Sequence, residues 1–278
     1  MISLVKAQVW KYKSIEDSTL VPISEAVTVL VGKNESGKTA FLEALHKALP
    51  LNNDKTFNII EDYPRRDLIR YRPKHEAGEV QNVVELTFLI NPTLAKKIND
   101  EVFDGEEVIA KGSTFSRTAS YDNKSSIGFH IDRLKSLNVF KKSLEGVEFV
   151  NDVFANTTKL DDVVTKIEKR DLAVDSELAV FAKQWRDRAL EMTQSGWGLV
   201  DGYIWKKYLQ PVLPKLLYFD DYKLLEGKIN LPTLLQKQTT QQLSGSDETA
   251  LGLLELAGTT TQELMTDDGC PKSFYRQK

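Results

Sequence analysis

The sequence predicts an α/β fold: a mixed sheet around a phosphate-loop strand and its helix, with a mostly helical insertion. Three observations predict it. An apolar β-branched run, Val27-Thr28-Val29-Leu30-Val31, leads into Gly32-Lys33-Asn34-Glu35-Ser36-Gly37-Lys38-Thr39. Phe41, Leu42, Leu45 and Leu49 then fall on one helical face before Pro50 stops the helix. From about residue 133 the apolar positions change to helical spacing.

The middle stretch reads G-x-x-x-x-G-K-T, the P-loop pattern, in the order strand, glycine-rich loop, helix. The pattern predicts a P-loop NTPase head lobe. Gly32 and Gly37 permit torsions and close approaches that a Cβ forbids. Loop amides and the helix N-terminus can then face phosphate oxygens with partial positive charge. Lys38 adds a full charge near the β- and γ-phosphates, and the Thr39 hydroxyl is placed to ligate Mg²⁺.

Ahead of this unit, Leu4, Val5, Val9 and Trp10 stand among polar residues over 3–15 as in a strand, interrupted near its end by Lys13-Ser14. A second short strand is expected near residues 19–23, before the turn-like Ser24-Glu25. Residues 51–60 read as a loop. Residues 62–75 are dense in cations, with Tyr63 and Tyr71 among them. They read either as a phosphate-contacting patch for nucleotide or nucleic acid, or as a solvated loop paired to Glu61, Asp62, Asp67 and Glu76.

Val83–Ile90 is a strand, and Asn91-Pro92 caps a helix over about 93–103. Residues 104–132 read as strands and loops. Thr158-x-x-Asp161 looks like a capping box, ahead of Leu160, Val163, Val164 and Ile167 at helical spacing. A second helix starts near Asp175-Ser176 with the stripe Leu178, Phe181, Trp185, Ala189 and Met192. Ser195-Gly196 breaks it from a block ending at Gln210-Pro211. Leu216-Leu217-Tyr218-Phe219-Asp220-Asp221 returns to strand character with carboxylates at its end, like a Walker B element. Ser244-Gly245-Ser246-Asp247 opens a helix to 257, and Thr260-x-x-Glu263 caps another. The expected domains are a nucleotide-binding lobe at 1–132, a helical insertion or arm at 133–210, and a return strand with the start of a further helical region at 211–278.

The chain has 278 residues, 41% hydrophobic and 28% charged, with a net charge of −3. That balance is ordinary for a globular protein and carries no overall basic field for nucleic acid. Its single cysteine, Cys270, excludes an internal disulfide and a cysteine-cluster zinc site. No apolar run approaches the ~20 residues of a membrane span, and the first residues lack a signal-peptide core. The expectation is a cytoplasmic protein without a membrane partner.

Trp10-Lys11-Tyr12-Lys13-Ser14-Ile15, followed by Val29–Thr39, resembles the start of an ABC-type ATPase head of the RecF, RecN, SMC and OLD families. Among bacterial AAA family ATPases it is most similar to the OLD-like type, which also has an aromatic-Pro-Arg-Arg segment, as at residues 63–66, and a Tyr-Phe-Asp-Asp-Tyr segment, as at 218–222. The resemblance implies binding of ATP and Mg²⁺, head-to-head engagement of two copies, and DNA or a nuclease as partner. It implies nucleotide contacts at Gly32, Lys33, Asn34, Glu35, Ser36, Gly37, Lys38, Thr39 and Ala40, and at Lys13, with Lys38 catalytic and Thr39 on the metal. The family places its signature helix before a Walker B strand ending Asp-Glu. Here Leu243-Ser244-Gly245-Ser246 comes after residues 216–221, so both read as decoys and the chain reads as the N-terminal part of a longer ATPase. Two alternatives stay open: an assembly subunit using nucleotide structurally with a helical partner-binding arm, or another P-loop enzyme. A GTPase is disfavoured because its Asn-Lys-x-Asp motif is absent.

Overall fold

A computed structural model describes residues 2–50, 56–190, 197–218, 229–240 and 242–266. The chain divides into two compact units. Residues 1–41 and 57–214 make the first, and residues 42–56 and 215–278 the second.

The first unit is built on an antiparallel six-stranded sheet. Strand β1 (Ile2–Tyr12) turns through Lys13-Ser14 into β2 (Ile15–Asp17), and β3 (Val21–Pro22) also pairs with β1. On its other side β1 pairs with β4 (Asn82–Ile90), which pairs with β5 (Thr114–Ser120), which pairs with β6 (Ser125–Phe129). The sheet order is thus β2-β1-β4-β5-β6. The strand expected at residues 83–90 forms, with Val84, Leu86, Phe88 and Ile90 fully buried on one face of β4. Phe88 stacks on Phe115 of β5 at 5.1 Å, and Phe115 meets the edge of Trp205.

Helix α1 (Lys38–Ala48) begins in this unit. Short α2 (Ile59–Asp62) and then α3 (Arg65–Glu76) come before β4. Helix α4 (Pro92–Val102) starts as expected, with the Asn91 side chain accepting from Thr93 N and proline at its first turn. The helical block is α5 (Arg133–Ser143), α6 (Val150–Phe154), α7 (Leu160–Glu168), α8 (Glu177–Leu190) and α9 (Leu199–Ile204). A π-helical turn and a 3₁₀ turn continue α9 to Val212. Leu160, Val163, Val164 and Ile167 of α7 are buried, as are Leu178, Ala182 and Trp185 of α8. These stripes are core.

The second unit holds the rest of α1 with α10 (Leu231–Thr240), α11 (Gly245–Leu256) and α12 (Thr261–Thr266). Here Leu216 N donates to Leu49 O at 2.9 Å, and Pro50 and Leu216 form a parallel bridge. Ser244 caps α11 reciprocally with Asp247, which also pairs with Lys237 at 2.8 Å. Thr260 and Glu263 make the expected reciprocal cap for α12.

Several expectations are corrected. Residues 27–31 are not a buried strand: Val27, Val29 and Val31 are 72%, 73% and 86% exposed, and no described strand pairs with them. An apolar β-branched run is suited to a sheet but needs a neighbour on which to pair, and both sides of β1 are already taken. The six-stranded sheet is antiparallel, not mixed; parallel pairing among the described residues is the single Pro50–Leu216 bridge. The cation-rich stretch 62–75 is helical rather than a loop, its start set by Pro64. Thr158 does not cap α7: Lys159 stands at the cap, and the Asp161 carboxylate instead accepts from Leu199 N at 3.2 Å. Met192, Ser195-Gly196, residues 219–222 with Asp220 and Asp221, and Cys270 lie outside the described residues.

Candidate phosphate-binding site

The loop is exposed from Gly32 to Ser36 and passes through half-buried Gly37 into α1 at Lys38. Two backbone features make the turn. Glu35 and Gly37 are left-handed, at φ 63° and 92°. A Cβ on Gly32 would lie 2.7 Å from Ser36 Oγ, so the loop closes over that glycine. Ser36 N donates to Lys33 O at 3.3 Å, and Phe41 N makes the first helical bond to Gly37 O at 2.8 Å. The amides of Lys38, Thr39 and Ala40 therefore occupy the first turn, where donors have no acceptor within the helix. No acidic residue stands in that turn to compete for them.

The Lys38 ammonium lies across the loop, donating to Gly32 O at 2.8 Å and Lys33 O at 2.7 Å. One cation, a helix N-terminus and a glycine-permitted turn thus converge on one exposed cradle, an arrangement that binds anions. Asn34, Ser36 and Thr39 are exposed around it, while Ala40 is buried beneath. Thr39 offers a single hydroxyl to a cation. Among the described residues no group of three or more His, Cys, Asp or Glu could hold a metal. That donor set fits Mg²⁺ carried in with phosphate, which keeps several waters and takes few protein ligands.

Lys13 lies on the neighbouring turn. It sits on the β1–β2 turn at φ 50°, its ammonium 5.6 Å from the Tyr12 ring centre. The turn abuts the loop: a Cβ on Gly37 would lie 3.0 Å from Ile15 Cγ1 and 3.4 Å from Ser14 Oγ. Behind the turn, Lys11 donates to Asp67 Oδ2 at 2.9 Å and to Glu16, and Arg66 reaches Glu16 at 3.2 Å. Those bonds, Glu16 first, hold the Lys11 ammonium above its ordinary pKa. The same Lys11 bond holds the Asp67 carboxyl below its own.

Much of the basic segment is therefore paired. Arg66 bonds Glu16, Arg72 bonds Glu76 at 2.9 Å, and Lys74 lies 3.7 Å from Glu79. Its two tyrosines are buried, stacked at 4.4 Å. Sequence reasoning missed that this segment buttresses the turn. The signal was present in Tyr63 and Tyr71, whose aromatic bodies belong in a core.

A family model described as an AAA domain matches residues 10–247, spanning the turn, the loop and the helical block. No curated protein matches the chain. A solved structure from work on ATP-driven dimerization and DNA-stimulated activation of SMC ATPases is 18% identical, the match covering 65% of this chain and 98% of that one. Its TM-score is 0.25, too low for the superposition to carry an argument.

Proposed function

Because the chain belongs to the AAA-domain family, one of ATP-binding ATPases, we propose that loop 32–39 holds the phosphates of ATP with Mg²⁺. In this reading the chain is the nucleotide-binding part of an ABC-type ATPase that couples ATP binding and hydrolysis to DNA processing, repair or phage defence. The observation that carries the reading is the convergence of the Lys38 ammonium, the first-turn amides of α1 and the left-handed Gly37 on one cradle.

The loop amides bind the phosphate oxygens, and Lys38 exchanges its two carbonyl acceptors for the β- and γ-phosphates. The Thr39 hydroxyl would hold Mg²⁺, which would supply positive charge against the phosphates. Lys13, on the adjoining turn, adds a cation at the loop's edge. Lys38 then stabilises charge that grows as the γ-phosphate departs. We place the carboxylate that orients the attacking water outside this chain, so the isolated chain turns ATP over very slowly. Head-to-head engagement of two copies is the assembly proposed.

Titration calorimetry with ATP and Mg²⁺ tests this on the wild-type chain and Lys38→Ala. Loss of one charge-assisted set of bonds is expected to weaken binding by roughly 10- to 100-fold. Equal affinity in the two proteins, or no heat with the wild type, refutes the assignment.

A further inference from the structure

The β1–β2 turn is bent where the sequence offers no glycine. Lys11 and Lys13 both take left-handed torsions, at φ 47° and 50°, on either side of buried Tyr12. Non-glycine residues persist in that region only where their surroundings over-determine them. Here three independent elements do so. The Tyr121 hydroxyl, at the end of β5, donates to Lys11 O at 2.6 Å. Asp62 O, at the end of α2, accepts from Lys13 N at 2.5 Å. Asp67, in the first turn of α3, accepts from the Lys11 ammonium at 2.9 Å.

Those elements are themselves locked together. Tyr121 lies 5.5 Å from the Tyr63 ring and 6.5 Å from that of Tyr71. Asn123, just beyond Tyr121, accepts from Phe57 N at 2.7 Å and donates to Phe57 O at 3.0 Å. The result is a rigid seat with the strained turn on top. What the turn touches next is the loop: Ile15, 8% exposed, and the Ser14 hydroxyl form the wall against Gly37.

We propose that Tyr121 and Asp67, acting through Lys11, are positioning residues for the phosphate loop. Neither touches the cradle. They fix the torsions of the turn, the turn fixes where Ile15 and Ser14 stand, and that wall fixes Gly37 and the amides after it. Loop amides must stand within hydrogen-bond reach of phosphate oxygens, so a shift of about an ångström in the wall is felt as lost affinity. The inference rests on the ATP-binding reading above.

The test uses the full chain. Tyr121→Phe removes the bond to Lys11 O, Asp67→Asn removes the charge facing the ammonium, and the double variant removes both while keeping side-chain size. Titration with a fluorescent ATP analogue and Mg²⁺ is expected to give affinity about tenfold weaker for the double variant. Hydrogen exchange without nucleotide is the second readout. The bonded amides of Ser36 and Phe41, which tie the loop to Lys33 O and Gly37 O, should exchange faster, while those of β4 stay as slow as in the wild type. Lys11→Arg, which keeps both carboxylate partners, should retain wild-type affinity, and Lys11→Met should not. Unchanged analogue affinity together with unchanged loop exchange overturns the proposal while leaving the ATP reading intact. Faster exchange spread equally through β4 overturns it in favour of a general loss of stability. A wild type that fails to bind the analogue overturns the ATP reading and this inference with it.

Discussion

Replacing Gly37 by alanine separates two costs that the structure distinguishes. Gly37 is at φ 92°, and a Cβ there meets Ile15 Cγ1 at 3.0 Å. Gly78, just past the end of α3, is at φ 95°, yet a Cβ there meets nothing within 4 Å. The left-handed penalty for an L-residue is about 1–2 kcal/mol at either site. Alanine regains about 0.4–1 kcal/mol by narrowing the unfolded ensemble. Gly78→Ala should therefore cost roughly 0.5–1 kcal/mol net. Gly37→Ala adds crowding against a buried side chain, about 1–2 kcal/mol more, for a total near ~2 kcal/mol. Urea unfolding followed by tryptophan fluorescence suits the measurement, because Trp10, Trp185, Trp197 and Trp205 all lie in the first unit. If Gly37→Ala costs no more than Gly78→Ala, the turn does not press on the loop and the positioning argument loses its last link.

Two further outcomes follow from the geometry. Val29→Thr and Val31→Ser should each change stability by less than about 0.5 kcal/mol in the same urea assay, since both valines are exposed; a cost of several kcal/mol would restore the buried strand. Asp247 is held at about 2, first by its bond from Lys237 and then by its bonds from Ser244. A depressed folded pKa gives stability that is present above the ordinary carboxylate value, near ~3.9, and lost as pH falls through about 2. Asp247→Asn should therefore cost about 1 kcal/mol at neutral pH, with the deficit closing towards pH 2. Thermal melts across that range check it, and a deficit unchanged at the acid end counts against the carboxylate.

What could be read from the residues was local. Residues 83–90 read as an apolar strand and became β4; Asn91-Pro92 carries its own cap and became α4. The P-loop spacing led to the left-handed Gly37 and to a lysine at the start of α1, because both are encoded within eight residues. Pairing is not local, and that is why residues 27–31 misled: their composition says what they would suit, not whether a neighbour exists. The cation-rich stretch misled in the other direction. Its charges suggest solvent, while Tyr63 and Tyr71 form part of the core that seats the turn. Nothing in Lys11 or Lys13 announces a left-handed torsion, since glycine and asparagine are the residues that advertise it. Tyr121 lies 110 positions from the carbonyl it bonds, beyond the reach of any pattern.

The bonds from Lys38 to Gly32 and Lys33 have a consequence for how affinity should be interpreted. One ammonium is both the latch that ties the two ends of the loop together and the charge a triphosphate would recruit. Ligand capture is then an exchange of partners and not a simple gain, so a dissociation constant reports only the surplus of the new bonds over the old. Removing the lysine undoes both sides of that exchange, and a loop left slack by the missing latch will contribute to whatever weakening is measured.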